Sequence, residues 1–224
     1  MNKISPQRPS LQSCRRRLNQ RPALHDRRSV LGAGLAWAAL GSASAAVTGQ
    51  SEAQAAEGWL RSGGVVLAMR HALAPGTFDP PGFRLGDCSS QRNLDTEGRA
   101  QAQRIGGWFA AQSLQPVRVR SSPWCRCVDT ARLAFGVAEV WPALGSPRGS
   151  TEQVNAQQQV ELRRALQAAS QRTGRFEVWV THMFVLADLV GGNVASGEGL
   201  VLRAGDDGRP QLLARLDAAA IAAR

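Results

Sequence analysis

The sequence GVVLAMRH (residues 64–71) is a short apolar run that ends abruptly in Arg-His. A continuous apolar run of this length is typical of a parallel strand that is buried on both faces. The sequence FEVWVTH (residues 176–182) has the same form and also ends in a histidine. A shorter strand, VRVR (residues 117–120), is followed by a Ser-Ser-Pro break. We therefore predict a sheet whose strands open into polar loops at their carboxyl ends.

Segments with helical periodicity alternate with these strands. They cover residues 96–112, 126–135, 151–170 and 183–190. The predicted buried face of the third segment consists of Val154, Val160, Leu162 and Leu166. Residues 200–203 and 211–216 are two further strands, which an Asp-Asp-Gly sequence joins into a predicted hairpin. Strands that alternate with helices indicate an α/β protein, a three-layer α/β/α sandwich with a mostly parallel sheet.

The positive charge of the 224-residue chain, +10 in total, is concentrated at its start. Residues 1–28 contain eight basic residues and one acid, whereas residues 56–224 contain 19 arginines, no lysine and 15 acids. A nucleic-acid-binding domain ordinarily carries a basic patch or a basic stripe interleaved with aromatic residues. The body of the chain has neither, and we exclude nucleic acid as a partner.

The first 55 residues have the organisation of an export signal. A basic run ends at Arg27 and Arg28, and an uncharged apolar stretch follows at residues 30–40. The paired arginines before a weakly hydrophobic run favour a bacterial twin-arginine signal. An ordinary Sec signal and an uncleaved anchor are the alternatives. The apolar stretch is shorter than the roughly 20 residues of a membrane span, so we expect no stable span after signal cleavage.

Two small-residue patterns could be the cleavage site, at residues 43–45 and 53–55. They predict a mature chain that begins at Val47 or near Ala56. We therefore divide the chain into a signal with a short linker (1–55) and one domain (56–224). The predicted location is periplasmic or secreted.

Three of the four cysteines lie in the predicted mature chain, and Cys14 lies in the signal. An oxidising compartment favours disulfides. We expect one bond from Cys88 to either Cys125 or Cys127, with one free thiol left over. No second Cys or His pair lies near Cys125 and Cys127 to complete a zinc site.

The three histidines are also unevenly placed. His25 lies in the signal, and His71 and His182 each follow a predicted strand. In an open α/β sheet, ligands bind outside the carboxyl ends of the strands. The sequence therefore predicts a functional site at this edge of the sheet.

Four motifs stand out along the chain: LAMRHA (67–72), NLDTEGRAQA (93–102), SSPWCRCVDTA (121–131) and VWVTH (178–182). Together, and in this order, they resemble the motifs of the histidine phosphatase superfamily, also called the phosphoglycerate mutase-like fold. The first resembles the Arg-His-Gly signature of the superfamily, with Ala72 in place of the glycine. The third resembles its Ser-Ser-Pro-x-x-Arg box. The resemblance covers roughly residues 64–192 and implies the phosphoglycerate mutase-like fold.

The resemblance also implies roles for four residues. His71 would be the nucleophile and would form a phosphohistidine that water later hydrolyses. Arg70 and Arg126 would bind the non-bridging phosphate oxygens through their planar guanidinium groups. His182 would stabilise the transferring group. No metal and no cofactor is expected, because arginine and histidine supply the positive charge.

The residue that protonates the leaving oxygen is left open by the sequence. Met183 follows His182, where the phytase branch of the superfamily has an aspartate. The remaining candidates are Asp79 and Asp87 in the loop after His71 and, between Arg126 and His182, Asp129, Glu139, Glu152, Glu161 and Glu177. Arg92, Arg99 and Arg104 are predicted to lie on solvated faces, with Arg92 able to reach a substrate. Ser121 and Ser122 are predicted mainly as turn formers.

The resulting hypothesis is a metal-independent phosphomonoester hydrolase with a small phosphorylated substrate outside the cytoplasm. Phosphosugars, lipid or envelope phosphates and phosphoproteins are candidate substrates, and the loop 72–92 is expected to select among them. Mutase activity is disfavoured, because the mutases of the superfamily are cytoplasmic. One alternative is a non-catalytic phosphate-binding or envelope-interaction domain. Another is a thiol enzyme that uses Cys125 or Cys127 with His182. The oligomeric state is left open.

Overall fold

The computed structural model describes residues 51–148 and 150–222 of the chain. The sheet of this described part has six strands, β1 (Val65–Arg70), β2 (Arg118–Ser121), β3 (Glu139–Val140), β4 (Phe176–Thr181), β5 (Gly199–Ala204) and β6 (Pro210–Leu216). Their order across the sheet is β3-β2-β4-β1-β5-β6. The first four are parallel, and β5 is antiparallel to both β1 and β6. The prediction of a mostly parallel sheet with a terminal hairpin is confirmed.

The described part of the chain has six helices, of which the middle four follow the predicted segments closely and the first and last were not predicted. They are α1 (described over residues 51–62), α2 (Thr96–Ala111), α3 (Cys125–Phe135), α4 (Glu152–Ser170), α5 (Met183–Val190) and α6 (Ala218–Ala222), with 3₁₀ turns at Cys88–Ser90 and Pro142–Leu144. Asp95 caps α2 by accepting a hydrogen bond from the Gly98 amide. Helix α3 ends at Gly136, whose φ of 74° is the left-handed conformation that glycine adopts readily.

The sheet separates two hydrophobic clusters, because successive side chains of a strand point to opposite faces. In β1, Leu67 and Met69 pack in the cluster that contains the buried residues of α1, α2 and α3. Val66 and Ala68 pack in the other cluster, with the buried residues of α4 and α5. Two helical layers around one sheet form the predicted three-layer α/β/α sandwich.

The predicted buried face of α4 is wrong at two of its four positions. Leu162 and Leu166 are buried as expected, and Ala169 joins them. Val154 and Val160, however, are 40% and 45% exposed. At 3.6 residues per turn, residue 160 lies nearly opposite residue 162, and residue 154 lies about 80° from it. The buried stripe of α4 is therefore narrower than the apolar residues alone suggest.

Helix α1 crosses the predicted boundary between residues 55 and 56. Ala53, Ala56 and Leu60 lie on one face of this helix and are buried in the cluster that contains β1. The predicted export signal with its linker covers residues 1–55, of which residues 1–50, with the paired arginines, are outside the described part of the chain. Among the described helices, none has the length and apolar character needed to cross a membrane.

Candidate active site

The two histidines lie side by side at the carboxyl ends of β1 and β4. Arg70, the last residue of β1, pairs with Thr181, the last residue of β4. The His71 amide then donates a hydrogen bond to the Thr181 carbonyl at 3.0 Å. The rings of His71 and His182 are 5.6 Å apart between centroids. The parallel pairing of β1 with β4 therefore brings together two histidines that are distant in the sequence.

The four predicted site residues surround one pocket of about 330 Å³. Arg70, His71, Arg126 and His182 all line it. This volume is near the lower end of the range for small-molecule sites, about 300–1,000 Å³. The structure thus places these side chains together, and the role of each in a reaction stays a prediction.

His71 is held as a neutral imidazole with one free nitrogen. The side chain is buried, and its Nδ1–H donates to the Ala72 carbonyl at 2.7 Å. Because a carbonyl can only accept, the proton of the neutral ring must be on Nδ1, which leaves the lone pair on Nε2. Burial lowers the pKa of His71 to about 3, and the charge of Arg126 contributes to the lowering. A neutral ring of this kind is able to act as a nucleophile near neutral pH.

His182 is held by Ser122 on one side and faces Arg126 on the other. Its Nδ1 lies 3.5 Å from Nη2 of Arg126, and its Nε2 lies 2.8 Å from Oγ of Ser122. Because the guanidinium only donates, Nδ1 accepts and Nε2–H donates to the serine hydroxyl. Burial, followed by the charge of Arg126, lowers the pKa of His182 well below its ordinary value.

Ser122 therefore positions a histidine, in addition to the turn-forming role predicted for it. The sequence carried a signal for this contact, because Ser122 belongs to the Ser-Ser-Pro box. Ser121 does not reach the histidines and donates instead to the Ser122 carbonyl at 2.9 Å.

The cysteines do not form a nucleophilic site. Cys88 and Cys125 are joined in a disulfide, which is one of the two pairings left open by the sequence. The free thiol of Cys127 lies 3.6 Å from Nε2 of His182. It is fully buried, however, and burial raises its pKa to about 12. Since the thiolate is the reactive form, this geometry contradicts the thiol-enzyme alternative.

Three arginines converge on the pocket with unused hydrogen-bond donors. The Nε atoms of Arg70, Arg92 and Arg126 are each buried without a hydrogen-bond partner in the described part of the chain. Burial, and after it the charge of Arg126, lowers the pKa of Arg70 and also that of Arg92. Buried donors without partners in a cluster of like charges indicate a site for an anion.

The prediction that Arg92 lies on a solvated face is wrong. Its guanidinium donates to the Ala74 carbonyl, and its backbone amide donates to Asp79 at 3.0 Å. These two contacts fold the loop after β1 back on itself and direct Arg92 into the pocket. Arg99 and Arg104 lie on exposed faces, as expected, and pair with Asp129 and Glu97.

Asp79 is the one candidate acid that lines the pocket. Its Oδ1 accepts from Nη1 of Arg126 at 2.8 Å, and its Oδ2 accepts from Nε1 of Trp124 at 3.2 Å. Burial would raise the pKa of Asp79, but the hydrogen bonds from the Arg92 amide and from Arg126 outweigh it and lower the pKa. Asp79 is therefore ionised at neutral pH when the pocket is empty.

The other candidate acids are engaged elsewhere. Asp87 pairs with Arg84 and caps the 3₁₀ turn that begins at Cys88. The remaining acids that have described partners are Asp129 with Arg99, Glu139 with Arg118, Glu161 with Trp141 and Glu177 with Arg172. Neither these four nor the exposed Glu152 lines the pocket.

Several contacts fasten the loop 72–92 to the first turn of α3, in addition to the ion pair of Asp79 with Arg126. The Cys88–Cys125 disulfide is one of them. Another is the hydrogen bond from the Cys125 amide to Oε1 of Gln91, at 3.0 Å. Both join the loop that carries Asp79 to the helix that carries Arg126. In the described part of the chain, no group of three or more His, Cys, Asp or Glu side chains is arranged to hold a metal ion.

In the candidate site, the adjacent parallel strands β1 and β4 end in two histidines, with arginines around them. Solved structures agree at the level of the fold. The alpha-ribazole phosphatase of Shigella flexneri aligns with a TM-score of 0.50 and 15% identity, over 69% of this chain and 96% of that chain. A candidate alpha-ribazole-5′-P phosphatase of Escherichia coli K-12 aligns with a TM-score of 0.51 and 16% identity, over 69% and 97%.

The resemblance seen in the sequence motifs is thus confirmed for the fold: the chain has the phosphoglycerate mutase-like fold of the histidine phosphatases. No protein-family model matches the chain, and no curated protein matches it.

Proposed function

We propose that this protein is a metal-independent phosphomonoester hydrolase that works through a phosphohistidine on His71. One observation carries the proposal. A neutral histidine with a free Nε2 lines the same pocket as three arginines that have buried donors to spare. An anion-binding domain would need the arginines but would not need the nucleophile.

Substrate binding begins with the charge of the phosphate. The phosphate dianion of the substrate pairs with Arg70 and Arg126, whose planar guanidinium groups match the spacing of the phosphate oxygens. The same dianion competes with Asp79 for the guanidinium of Arg126, because both are anions that bind it. Its negative charge also favours protonation of His182 at Nδ1, the nitrogen that faces Arg126.

The first chemical step transfers the phosphoryl group to the protein. Nε2 of His71 forms a bond to phosphorus while the bond from phosphorus to the ester oxygen breaks. The electron pair of that bond stays on the leaving oxygen. Once phosphate displaces Asp79 from Arg126 and raises its pKa, Asp79 takes up a proton from solvent and donates it to this oxygen.

The second step regenerates the protein. Water attacks the phosphorus of the phosphohistidine, the P–N bond breaks, and its electron pair returns to Nε2 of His71. The carboxylate of Asp79 accepts the proton from the attacking water. Inorganic phosphate then leaves, and Asp79 releases its proton to solvent and pairs with Arg126 again.

We further propose that the substrate is a phosphate ester outside the cytoplasm. Two features support this location. The paired Arg27 and Arg28 before an apolar run are typical of a twin-arginine signal. The Cys88–Cys125 disulfide is of a kind that persists in oxidising compartments.

The catalytic proposal is tested with the full chain, a chelator and p-nitrophenyl phosphate. We expect the wild type to hydrolyse this ester in the presence of chelator and H71A to be inactive. Rapid acid-free quenching with labelled substrate should trap a phosphorylated protein only when His71 is present. R209Q is the matched control, because Arg209 lies in the exposed hairpin turn and pairs with Asp207. Equal inactivity of wild type and H71A, with phosphate still raising the melting temperature, would instead favour the binding-domain alternative.

The location is tested separately by fractionating bacterial cells that express the chain. We expect the protein outside the cytoplasm. Replacing Arg27 and Arg28 with lysine should retain it inside, because a twin-arginine signal requires the arginines whereas a Sec signal requires only positive charge. Unchanged export of the lysine variant would point to the Sec alternative.

A further inference from the structure

Arg148 is stacked between two exposed aromatic rings at the mouth of the pocket. Its guanidinium carbon lies 3.9 Å from the ring centroid of Phe78 and 5.2 Å from that of Phe184. The two rings are 54% and 37% exposed. All three side chains line the same pocket as His71. We refer to Phe78, Arg148 and Phe184 as the aromatic-arginine clamp.

Arg148 has no anionic partner in the described part of the chain. The pocket that it lines contains four arginines and one acid, Asp79. The side chain of Arg148 forms no ion pair and no hydrogen bond to a described residue, whereas Arg126 in the same pocket is paired with Asp79. Stacking engages the flat faces of a guanidinium and leaves the N–H groups at its edge available. The aromatic rings therefore fix the position of a cation whose donors are unused.

The clamp lies beside the group that acts on the leaving oxygen. Phe78 immediately precedes Asp79, and consecutive Cα atoms are about 3.8 Å apart. Phe184 follows His182 by two residues, in the first turn of α5. A substrate whose ester oxygen faces Asp79 would thus direct the rest of its leaving group toward Arg148.

The charges of the pocket indicate what that leaving group carries. Its charged lining residues are Asp79 and the four arginines Arg70, Arg92, Arg126 and Arg148. With both histidines neutral, the net charge is +3. A phosphate dianion neutralises two of these charges and leaves one positive charge over, or three once His182 and Asp79 are protonated as proposed above. Of the four arginines, Arg148 is the one that is exposed, whereas Arg126 is paired with Asp79 and the guanidinium groups of Arg70 and Arg92 donate to backbone carbonyls, so we assign the excess charge to Arg148.

We propose that the aromatic-arginine clamp binds a second anionic group, a carboxylate or a second phosphate, on the leaving group of a small phosphomonoester. This inference rests on the proposed phosphatase function and specifies its substrate class. The pocket volume of about 330 Å³ limits the leaving group to a small one. The anion would bind to the edge of Arg148, and the carbon atoms beside it would contact the faces of Phe78 and Phe184.

The test compares four esters with two-carbon leaving groups that differ in charge. They are ethyl phosphate, phosphoethanolamine, phosphoglycolate and ethane-1,2-diol bisphosphate. We expect the full-length wild type to have a kcat/KM about tenfold or more higher for phosphoglycolate and the bisphosphate than for ethyl phosphate. The difference should lie mainly in KM, because a charge-assisted hydrogen bond of ordinary strength accounts for a change in binding of this size. The comparison of phosphoglycolate with the bisphosphate identifies which anion fits better.

Variants show whether Arg148 is the source of the preference. We expect R148Q to lower the ratio of anionic to neutral ester about tenfold and R148K to lower it less. R209Q is again the matched control and should leave the ratio unchanged. The preference should also shrink between 0.05 M and 0.5 M salt, because Arg148 is exposed and its charge is screened.

The possible outcomes separate this inference from the proposed function. If the wild type hydrolyses all four esters with equal kcat/KM, or if R148Q keeps the full preference, the clamp does not bind an anion and the phosphatase proposal is unaffected. If no ester is hydrolysed, the phosphatase proposal fails, and calorimetric binding of the same esters decides the inference. Tighter binding of the anionic esters by wild type than by R148Q would then support the clamp, and equal binding would overturn it.

Discussion

Arg70 and Thr181 are paired across two parallel strands, and this single pair sets the spacing of the two histidines. Each is the last residue of its strand, and a histidine follows each of them. A shift of the strand pairing by one residue would point one imidazole to the opposite face of the sheet. The chemistry that we propose therefore depends on strand register as directly as on the identity of the side chains.

Stability should fall in mild acid because the two histidines are buried as neutral rings. An unfolded histidine has a pKa of about 6.5. In the folded protein the pKa of His71 is lowered to about 3, and that of His182 is lowered well below its ordinary value. Below pH 6.5 the unfolded chain thus binds protons that the folded protein does not bind. The free energy of unfolding should drop by up to about 1.4 kcal/mol per pH unit for each histidine.

Urea unfolding at pH 7.5 and pH 5.0 measures this dependence. H71N should lose less stability than the wild type between these two pH values, by up to about 2 kcal/mol, because one of the two titrating groups is gone. Identical losses in the wild type and in H71N would contradict the assignment of a neutral, buried His71.

Replacement of Asp79 should affect esters according to how readily their leaving group departs. In D79N, kcat/KM for phenyl phosphate should fall about 100-fold or more, because phenolate needs protonation as it leaves. For p-nitrophenyl phosphate, whose leaving group is stable as an anion, the loss should be much smaller. D87N is the matched control, because Asp87 lies in the same loop but does not line the pocket. Equal losses for both esters would show that Asp79 is not the acid.

Loss of the Ser122 hydroxyl should disturb His182 without removing any phosphate ligand. We expect S122A to lower kcat about tenfold and to leave KM nearly unchanged, because a buried imidazole N–H loses its acceptor. In S121A the hydrogen bond between Ser122 and His182 is kept, and kcat should change little. A rise in KM of S122A without a fall in kcat would assign Ser122 to substrate binding instead.

Reduction of the disulfide should cost both stability and activity. The Cys88–Cys125 bond spans 37 residues, for which the chain-entropy account gives about 4 kcal/mol of stabilisation. Urea unfolding with and without a phosphine reductant should show a loss of this order in the wild type. C88S provides the control, since it should be as unstable without reductant as the wild type is with it. A wild type that is unaffected by reductant would contradict this prediction.

The sequence predicts the sheet and the paired histidines well because both depend on local pattern. An apolar run that ends in Arg-His fixes the strand, its burial and the place of the histidine at its end. The sequence named Asp79 as one of several candidate acids and Arg92 as able to reach a substrate. It could not show that both line the pocket, since their positions depend on how the loop after β1 folds back toward α3. That path is set by contacts between distant residues, such as the one between Arg126 and Asp79. Val160 is a different case, because it is apolar but lies nearly opposite Leu162 on α4 and is exposed, as strict helical spacing would have indicated.

The disulfide bond between Cys88 and Cys125 also affects the order in which the parts of the pocket form. A chain that has just been synthesised in a reducing cytosol can form the sheet and place both histidines, but it cannot form this bond. The half of the pocket that comes from the loop 72–92 is then joined to α3 by hydrogen bonds alone. If the protein is exported as proposed, oxidation of the two thiols comes after its synthesis in the cytosol. The compartment that supplies the oxidant is also the place where the pocket is first covalently fixed.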